Sequence, residues 1–402
     1  MTDTTLETSQ PGAARRWDAR MVLLALLPLL LLGALLAALV VTGAGLGARA
    51  APPIEELTID RITLPARDLL VVEVTNGGVD PVTVAQVLVD DAYWDFTIHP
   101  GPEIPRLGRA TITIPYPWVQ DETHAIRILS VNGVAFEGEV GVATLTPGPD
   151  WATVWRYALL GIYVGFVPVG LGLLWYPFLR RLGRRGMQAV LALTVGLLAF
   201  LLFDTLAEAL ELVAVAPEVF GGAPLVFLVA LLACLGLLAL GARRKGEAAS
   251  QLGLAYRIAL GIGLHNLGEG LAIGAAFALG EAALGTFLVI GFTLHNITEG
   301  VGIAAPVARE RVRLRHFVAL AALAGLPAVL GVWTGGFIYN SLAAALFLAL
   351  GAGAIAQVIY EVARLVLRQS ADERAPLLSP AVFGGLAGGI AIMYLTALLV
   401  AA

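Results

Sequence analysis

Two copies of a short polar motif interrupt apolar stretches in the second half of this 402-residue chain. The first copy reads HNLGEG at 265–270, and the second reads HNITEG at 295–300. In each copy a histidine precedes a glutamate by four positions. Side chains with that spacing share one face of a helix, about 6 Å apart along its axis. Two imidazoles and two carboxylates can therefore face one gap between neighbouring helices, and this donor set suits a divalent metal ion.

The cost of placing these residues in apolar helices favours a functional role. An ionisable side chain at the centre of a bilayer costs at least about 2.5–3.5 kcal/mol, and four of them occur in the two copies. A divalent cation would neutralise both glutamates and use the histidine lone pairs. The alternative is that each His–Glu pair forms a local hydrogen bond that only holds two helices together. The matched repetition of the motif favours the metal site.

The composition and the apolar runs predict a membrane protein. The chain is 58% hydrophobic and 14% charged, against about 25% charged residues in soluble domains. The single cysteine, Cys234, excludes an intrachain disulfide and a thiolate metal cluster. Runs of about 20 apolar residues predict membrane helices. There are nine such runs, at 21–46, 152–178, 187–212, 223–242, 254–279, 283–307, 316–338, 342–367 and 380–400.

The basic residues predict the orientation of these helices. They concentrate before the first helix and on alternate connections, whereas the short connections near 213–222, 280–282 and 339–341 contain none. Because cytoplasmic loops carry the excess of Lys and Arg, residues 1–20 are expected to form a cytoplasmic tail. The carboxy terminus is then expected outside, and the chain in the plasma membrane.

Residues 52–150 differ from the rest in composition and predict a small extracytoplasmic β-sandwich. Leu69–Thr75, Val82–Val89 and Ala110–Ile114 are expected to be strands, and Asn-Gly pairs at 76–77 and 132–133 to be turns. The preceding helix, 21–46, is either an anchor or a signal peptide ending at 48–50. Its length favours an uncleaved anchor. Some polar residues of this domain could capture metal, although solvated strand and loop positions explain them more simply: Asp90, Asp91, Asp95 and His99.

With these motifs in view, the chain resembles the ZIP (Zrt/Irt-like) family of divalent metal transporters, in particular its bacterial members. HNLGEG and HNITEG on adjacent helices are similar to the family's fourth- and fifth-helix motifs. FDTLAE at 203–208 and GAGA at 351–354 are similar to its second- and seventh-helix patterns. The resemblance covers residues 152–402 and implies a mainly α fold, an eight-helix bundle to which the anchor and β domain are additions. It also implies transport toward the cytoplasm, with the metal as substrate rather than cofactor, and no enzymatic activity.

The resemblance also implies which residues bind the ion. His265, Glu269, His295 and Glu299 would form the principal site, with Asn266 and Asn296 at a neighbouring second site. The chain departs from the family because Gly268 and Thr298 replace the usual prolines. Asn296 and Leu326 also stand where two-metal relatives carry acidic residues, which favours a single metal. Candidate pathway residues lie on the second and seventh core helices: Asp204, Glu208, Gln357 and Glu361.

Two other functions remain open from the sequence. One is an intramembrane zinc hydrolase that uses the same ligands around an activated water, although no HExxH sequence and no further base accompany them. The other is a membrane metal sensor in which the β domain reports occupancy. The expected partners are a divalent ion (Zn²⁺, Fe²⁺ or Mn²⁺), the lipid bilayer and a second copy of the chain in a homodimer. The basic loops serve topology, so no nucleic-acid partner is expected.

Overall fold

The computed structural model describes residues 19–42, 55–217, 220–243, 250–338, 340–372, 376 and 379–401. The chain divides into two compact units, 1–53 and 54–402. Within the first unit the described residues form helix α1, Ala19–Thr42, with Pro28 inside it. The expected cleavage site at 48–50 lies outside the described residues.

The second unit begins with a β domain made of two antiparallel sheets. One sheet has the strand order β1-β2-β7-β5, and the other has the order β4-β3-β8-β9 with β6 also paired to β3. The strands are β1 Leu57–Ala66, β2 Leu69–Asn76, β3 Val82–Val89, β4 Ala92–Trp94, β5 Thr97–His99, β6 Glu103–Ile104, β7 Arg109–Ile114, β8 His124–Ser130 and β9 Ala135–Val140. The three predicted strands are confirmed. Alternate residues of both sheets, such as Val72, Ile112 and Ile128, are fully buried in one shared core.

The rest of the second unit is helical. The helices are α2 Trp151–Gly161, α3 Val167–Leu173, α4 Tyr176–Leu179, α5 Arg184–Ala214, α6 Gly222–Arg243, α7 Gln251–Ala278, α8 Ala282–Ala304, α9 Leu314–Gly325, α10 Pro327–Ile338, α11 Ser341–Asp372 and α12 Pro380–Ala401. In the described part of the chain they make eight spans long and apolar enough to cross a membrane, with α2–α4 as one span and α9–α10 as another. This count agrees with the eight core helices predicted from the sequence.

Two of these spans are irregular, and each irregularity coincides with a proline. A π-helical turn, Ile162–Phe166, joins α2 to α3. Pro168 follows this turn and has no N–H to offer the Val164 carbonyl four residues earlier. Pro327 likewise separates α9 from α10. By contrast, α7 and α8 run unbroken through Gly268 and Thr298, so the helices that carry the two motifs lack a break at the positions where the family has proline.

Glycines allow several helices to pack backbone against backbone. A Cβ atom on Gly270 or Gly274 of α7 would fall within 3 Å of main-chain atoms of α10, and one on Gly331 or Gly335 of α10 would approach α7 in the same way. Small residues permit this close approach, which is typical of helices packed in lipid. The pattern predicts that α7 and α10 behave as one rigid pair.

The same kind of contact divides the bundle into two groups. The α7 set consists of α2–α4 and α7–α10, joined by further glycine approaches between α2 and α10, α3 and α8, and α7 and α9. The α5 set consists of α5, α6, α11 and α12, joined by glycines between α5 and α12 and between α6 and α11, with α5 also packed along α11. Between the sets the approaches are less close. Leu348 meets Gly268 and Thr194 meets Gly302 through side chains, and a Cβ atom on Gly351 or Gly261 would lie 3.2 Å from a main-chain atom of the facing helix, whereas within the sets the closest such distances to main-chain atoms are 2.0–2.5 Å.

Candidate metal centre

The two motif copies meet in the interior of the bundle. His265 and Glu269 lie on α7, and His295 and Glu299 lie on α8, as the four-residue spacing predicts. All four side chains belong to buried residues, between 2% and 5% exposed. The neighbouring Asn266 and Asn296 are fully buried. The structure therefore brings together all six residues that the sequence analysis singled out as ligands.

Glu269 links the two imidazoles. Its Oε1 lies 3.0 Å from Nε2 of His265 and is also hydrogen-bonded to Nε2 of His295. The two imidazole rings lie 6.5 Å apart between centroids. A carboxylate oxygen can only accept these bonds if each Nε2 carries a proton. A metal ion that binds through those nitrogens must therefore displace the protons.

Glu299 is the unusual member of the group. Both of its carboxylate oxygens are buried, and neither has a hydrogen-bond partner within normal distance among the described residues, although the Asn266 side chain lies close enough to interact with it. One carboxylate oxygen of Glu299 and one ring nitrogen each from His265 and His295 all lie within 4.8 Å of one another. A buried carboxylate without a partner is costly unless a cation compensates it. The geometry therefore fits a metal ion held by two nitrogens and a carboxylate.

The two asparagines tie the motif helices to the irregular helices. Nδ2 of Asn296 donates to the Val164 carbonyl at 3.0 Å and to Oε2 of Glu269 at 3.2 Å. Nδ2 of Asn266 donates to the Ala324 carbonyl at 3.0 Å, three residues before Pro327. The Oδ1 atom of each asparagine is buried without a described partner. Each amide is thus fixed by its donor end while its oxygen remains available as a ligand.

Two predicted pathway residues approach this centre from α5. Asp204 is exposed and interacts electrostatically with His295 and His265. Glu208, one helical turn further along α5, is half-buried and interacts with Asp204 and His265. These carboxylates therefore extend the polar groups around the buried centre toward α5, where Asp204 is exposed.

The other two predicted pathway residues lie on α11 in different surroundings. Gln357 is 1% exposed, and its Nε2 has no described partner. Its Oε1 lies close to Gly261, one turn before His265 on α7. Glu361 is paired with Arg257, with 3.1 Å between Oε1 and Nε. Arg257 is one of the basic residues whose distribution along the chain predicts orientation, and its pairing with Glu361 across two helices leaves no local spacing pattern in the sequence.

Two of the four β-domain residues considered for metal capture, Asp90 and Asp91, are engaged within that domain. Asp90 accepts hydrogen bonds from the Tyr116 hydroxyl at 2.7 Å and the Ala125 amide at 2.9 Å, and it contacts Nδ1 of the buried His124. Burial raises the pKa of Asp90, but these hydrogen bonds outweigh burial and hold it below its usual value. Burial and the Asp90 carboxylate raise the pKa of Tyr116 to about 12. Asp91 pairs with Arg127 at 3.0 Å.

Leu326 does not bear on the ligand set. It is 43% exposed and lines an apolar groove of about 600 Å³ between α2 and the α9–α10 span, together with Trp155 and Trp333. That the lack of a carboxylate at this position favours a single bound ion stays a prediction.

Comparison with known protein families gives no matching family model, and comparison with curated proteins gives no match.

Proposed function

We propose that this chain carries a divalent transition-metal ion across a membrane through the centre between α7 and α8. The observation that carries the proposal is Glu299, a buried carboxylate with two unpaired oxygens beside two imidazoles. Mixed nitrogen and oxygen ligands suit Zn²⁺, Fe²⁺ or Mn²⁺ and disfavour Cu⁺, which prefers sulfur. The ion is the substrate, and the resemblance of both motifs to the ZIP family supports the same conclusion.

Transport explains more of the structure than hydrolysis or sensing does. A hydrolase needs a base in addition to its metal ligands, and the buried acidic groups at this centre are themselves the candidate ligands. A sensor needs one occupied site and no route to it. Here Asp204 and Glu208 of α5 interact with the histidines of the centre, and Gln357 of α11 lies close to Gly261, one turn before His265 on α7. Polar side chains on both sides of a central site suit alternating access, in which one set of helices moves against another.

Uptake of radioactive zinc into proteoliposomes tests this proposal. The Glu299→Gln protein is expected to lose uptake, because the variant keeps the side-chain size and removes the charge that the cation neutralises. Glu139→Gln is the matched control, since Glu139 is an exposed residue of β9 remote from the centre. Equal uptake by the parent and the Glu299→Gln protein would overturn the assignment. Zinc binding by the parent without uptake would favour the hydrolase or the sensor.

A further inference from the structure

The β domain holds the end of α10 through a buried arginine. Arg61 of β1 is 9% exposed. Its Nη1 donates to the Phe337 carbonyl at 3.1 Å, and its Nη2 donates to the Gly336 carbonyl at 3.4 Å. These carbonyls belong to the last turn of α10, where a helix has unsatisfied acceptors and favours a cation. Arg61 therefore binds the α7 set, to which α10 belongs.

The preceding residue of β1 holds the start of α11. Oδ1 of Asp60 accepts from Nδ2 of Asn340 at 3.2 Å, and Oδ1 of Asn340 accepts from the Ala343 amide at 3.0 Å in the first turn of α11. Thr75 of β2 donates a further hydrogen bond to Asp60. Burial at this contact raises the pKa of Asp60, and burial lowers that of Arg61. Asp60 therefore binds the α5 set, to which α11 belongs.

Two further contacts repeat this division. Gly77, just after β2, lies against Pro217 at the end of α5: a Cβ atom on Gly77 would fall 2.6 Å from that of Pro217. Gly280, in the turn between α7 and α8, lies against the stretch after β9, where a Cβ would fall 2.9 Å from the Val142 carbonyl. The β domain thus contacts the α5 set at Pro217 and Asn340 and the α7 set at Gly280 and the end of α10.

We propose that the β domain is a clamp that spans the boundary between the α7 set and the α5 set and restrains their relative motion. Main-chain atoms approach more closely within each set than between the sets, so motion within the bundle is easiest at the boundary between them. Such motion must break the Asp60–Asn340 contact, the Arg61–α10 contacts, or the packing at Pro217 or Gly280. The clamp follows from these contacts alone. Its role as a control on transport rests on the proposed function.

Distances between spin labels on the two sets test the clamp directly. Both labels belong at the end of the bundle away from the β domain, on Leu314→Cys at the start of α9 and Leu367→Cys near the end of α11. Both positions are exposed. A Cys234→Ala background removes the single native thiol. The full-length parent with these labels is expected to show one narrow distance population.

Two clamp variants and one control are compared with that parent. Arg61→Ala removes the contacts with α10. Asn340→Asp places a carboxylate opposite Asp60 while keeping an oxygen that can accept from the Ala343 amide, so it opens the clamp without removing the cap of α11. Arg127→Ala is the control, because Arg127 pairs with Asp91 and Glu137 inside the β domain.

The clamp predicts a broadened distribution or a second, shifted distance population in Arg61→Ala and Asn340→Asp, and the parent distribution in Arg127→Ala. The same distribution in all four proteins would overturn it, as would equal broadening in the control. If Arg61→Ala does not fold, Asn340→Asp decides. Because the distances need no metal flux, a parent that fails to transport zinc would remove the proposed function and leave the clamp standing.

Discussion

Replacing Glu299 by glutamine is expected to affect stability in opposite ways without and with zinc: the metal-free variant should be at least as stable as the parent, and the zinc-loaded variant less stable. In the metal-free protein the Glu299 carboxylate is buried with both oxygens unpartnered. A neutral amide of the same size is less costly to bury than a carboxylate. The metal-free Glu299→Gln protein should therefore be at least as stable as the parent. In the presence of zinc the parent gains binding free energy that the variant largely lacks.

The size of this reversal can be worked out from linkage. At a zinc concentration 100 times the Kd, binding stabilises the parent by about 2.7 kcal/mol. Glu299 supplies one of three ligand atoms that lie within 4.8 Å of one another. Even substitutions of residues that only hydrogen-bond to the ligands of a metal site weaken metal binding about 10- to 100-fold. A 100-fold loss brings the zinc concentration down to the Kd of the variant, and the stabilisation then falls to about 0.4 kcal/mol.

Thermal unfolding in detergent, with chelator and then with zinc, measures both halves of this prediction. The parent and the exposed Glu139→Gln control should show the full zinc-induced rise in Tm, and Glu299→Gln should show only a small part of it. An equal zinc-induced rise in the parent and in Glu299→Gln would refute the assignment of Glu299 as a ligand. If the metal-free variant were much less stable than the metal-free parent, the Glu299 carboxylate of the parent would not be an uncompensated charge.

Three other results are expected. Zinc affinity, measured by competition with a chromophoric chelator, should fall as the pH is lowered, because protonated histidines and carboxylic acids cannot coordinate the ion. A pH-independent affinity would contradict this. The hydrogen bonds that Asp90 accepts hold its pKa below the unfolded value of about 3.9. Ionised Asp90 should therefore stabilise the β domain above that pH, and this stabilisation should be lost as the pH falls through the folded pKa. Hydrogen exchange of β3 and β8 should show a pH-dependent loss of protection that Asp90→Asn removes and Asp95→Asn retains. Gly331→Ala should destabilise the bundle by about 1–3 kcal/mol through overpacking against α7. Gly388 has open space around it, so Gly388→Ala should leave the Tm unchanged or raise it. Equal effects of the two substitutions would contradict the rigid α7–α10 pair.

The extent of the helices and strands followed from local patterns in the sequence. Apolar runs gave the eight spans of residues 151–401, and the alternation of apolar residues gave β2, β3 and β7. Which helices pack against each other could not be predicted from such patterns. Glycines at Gly196, Gly274 and Gly331 look alike in the sequence, yet Gly196 joins α5 to α12 while the other two join α7 to α10. Which helix faces a glycine depends on the arrangement of the whole bundle.

The candidate site was likewise only partly predictable from the sequence. The four-residue spacing of histidine and glutamate was enough to place His265 with Glu269 and His295 with Glu299 on common helix faces. It was not enough to show that Glu269 bonds to both imidazoles and leaves Glu299 unpaired. That asymmetry arises because the two motif copies are equivalent in sequence but not in surroundings.

Their surroundings also explain why each copy carries an asparagine after its histidine. Pro168 cannot donate to the Val164 carbonyl, and the Asn296 amide supplies a hydrogen bond there instead. Asn266 supplies one to the Ala324 carbonyl, beside the interruption at Pro327. In an apolar environment a main-chain carbonyl without a donor is costly. Asn296 therefore satisfies an acceptor that Pro168 leaves open, and Asn266 joins its motif helix to a carbonyl next to the second irregular site. An aspartate at either position would have no amide donor, and the connection between the motif helix and its neighbour would be lost even though the carboxylate could still bind a metal ion.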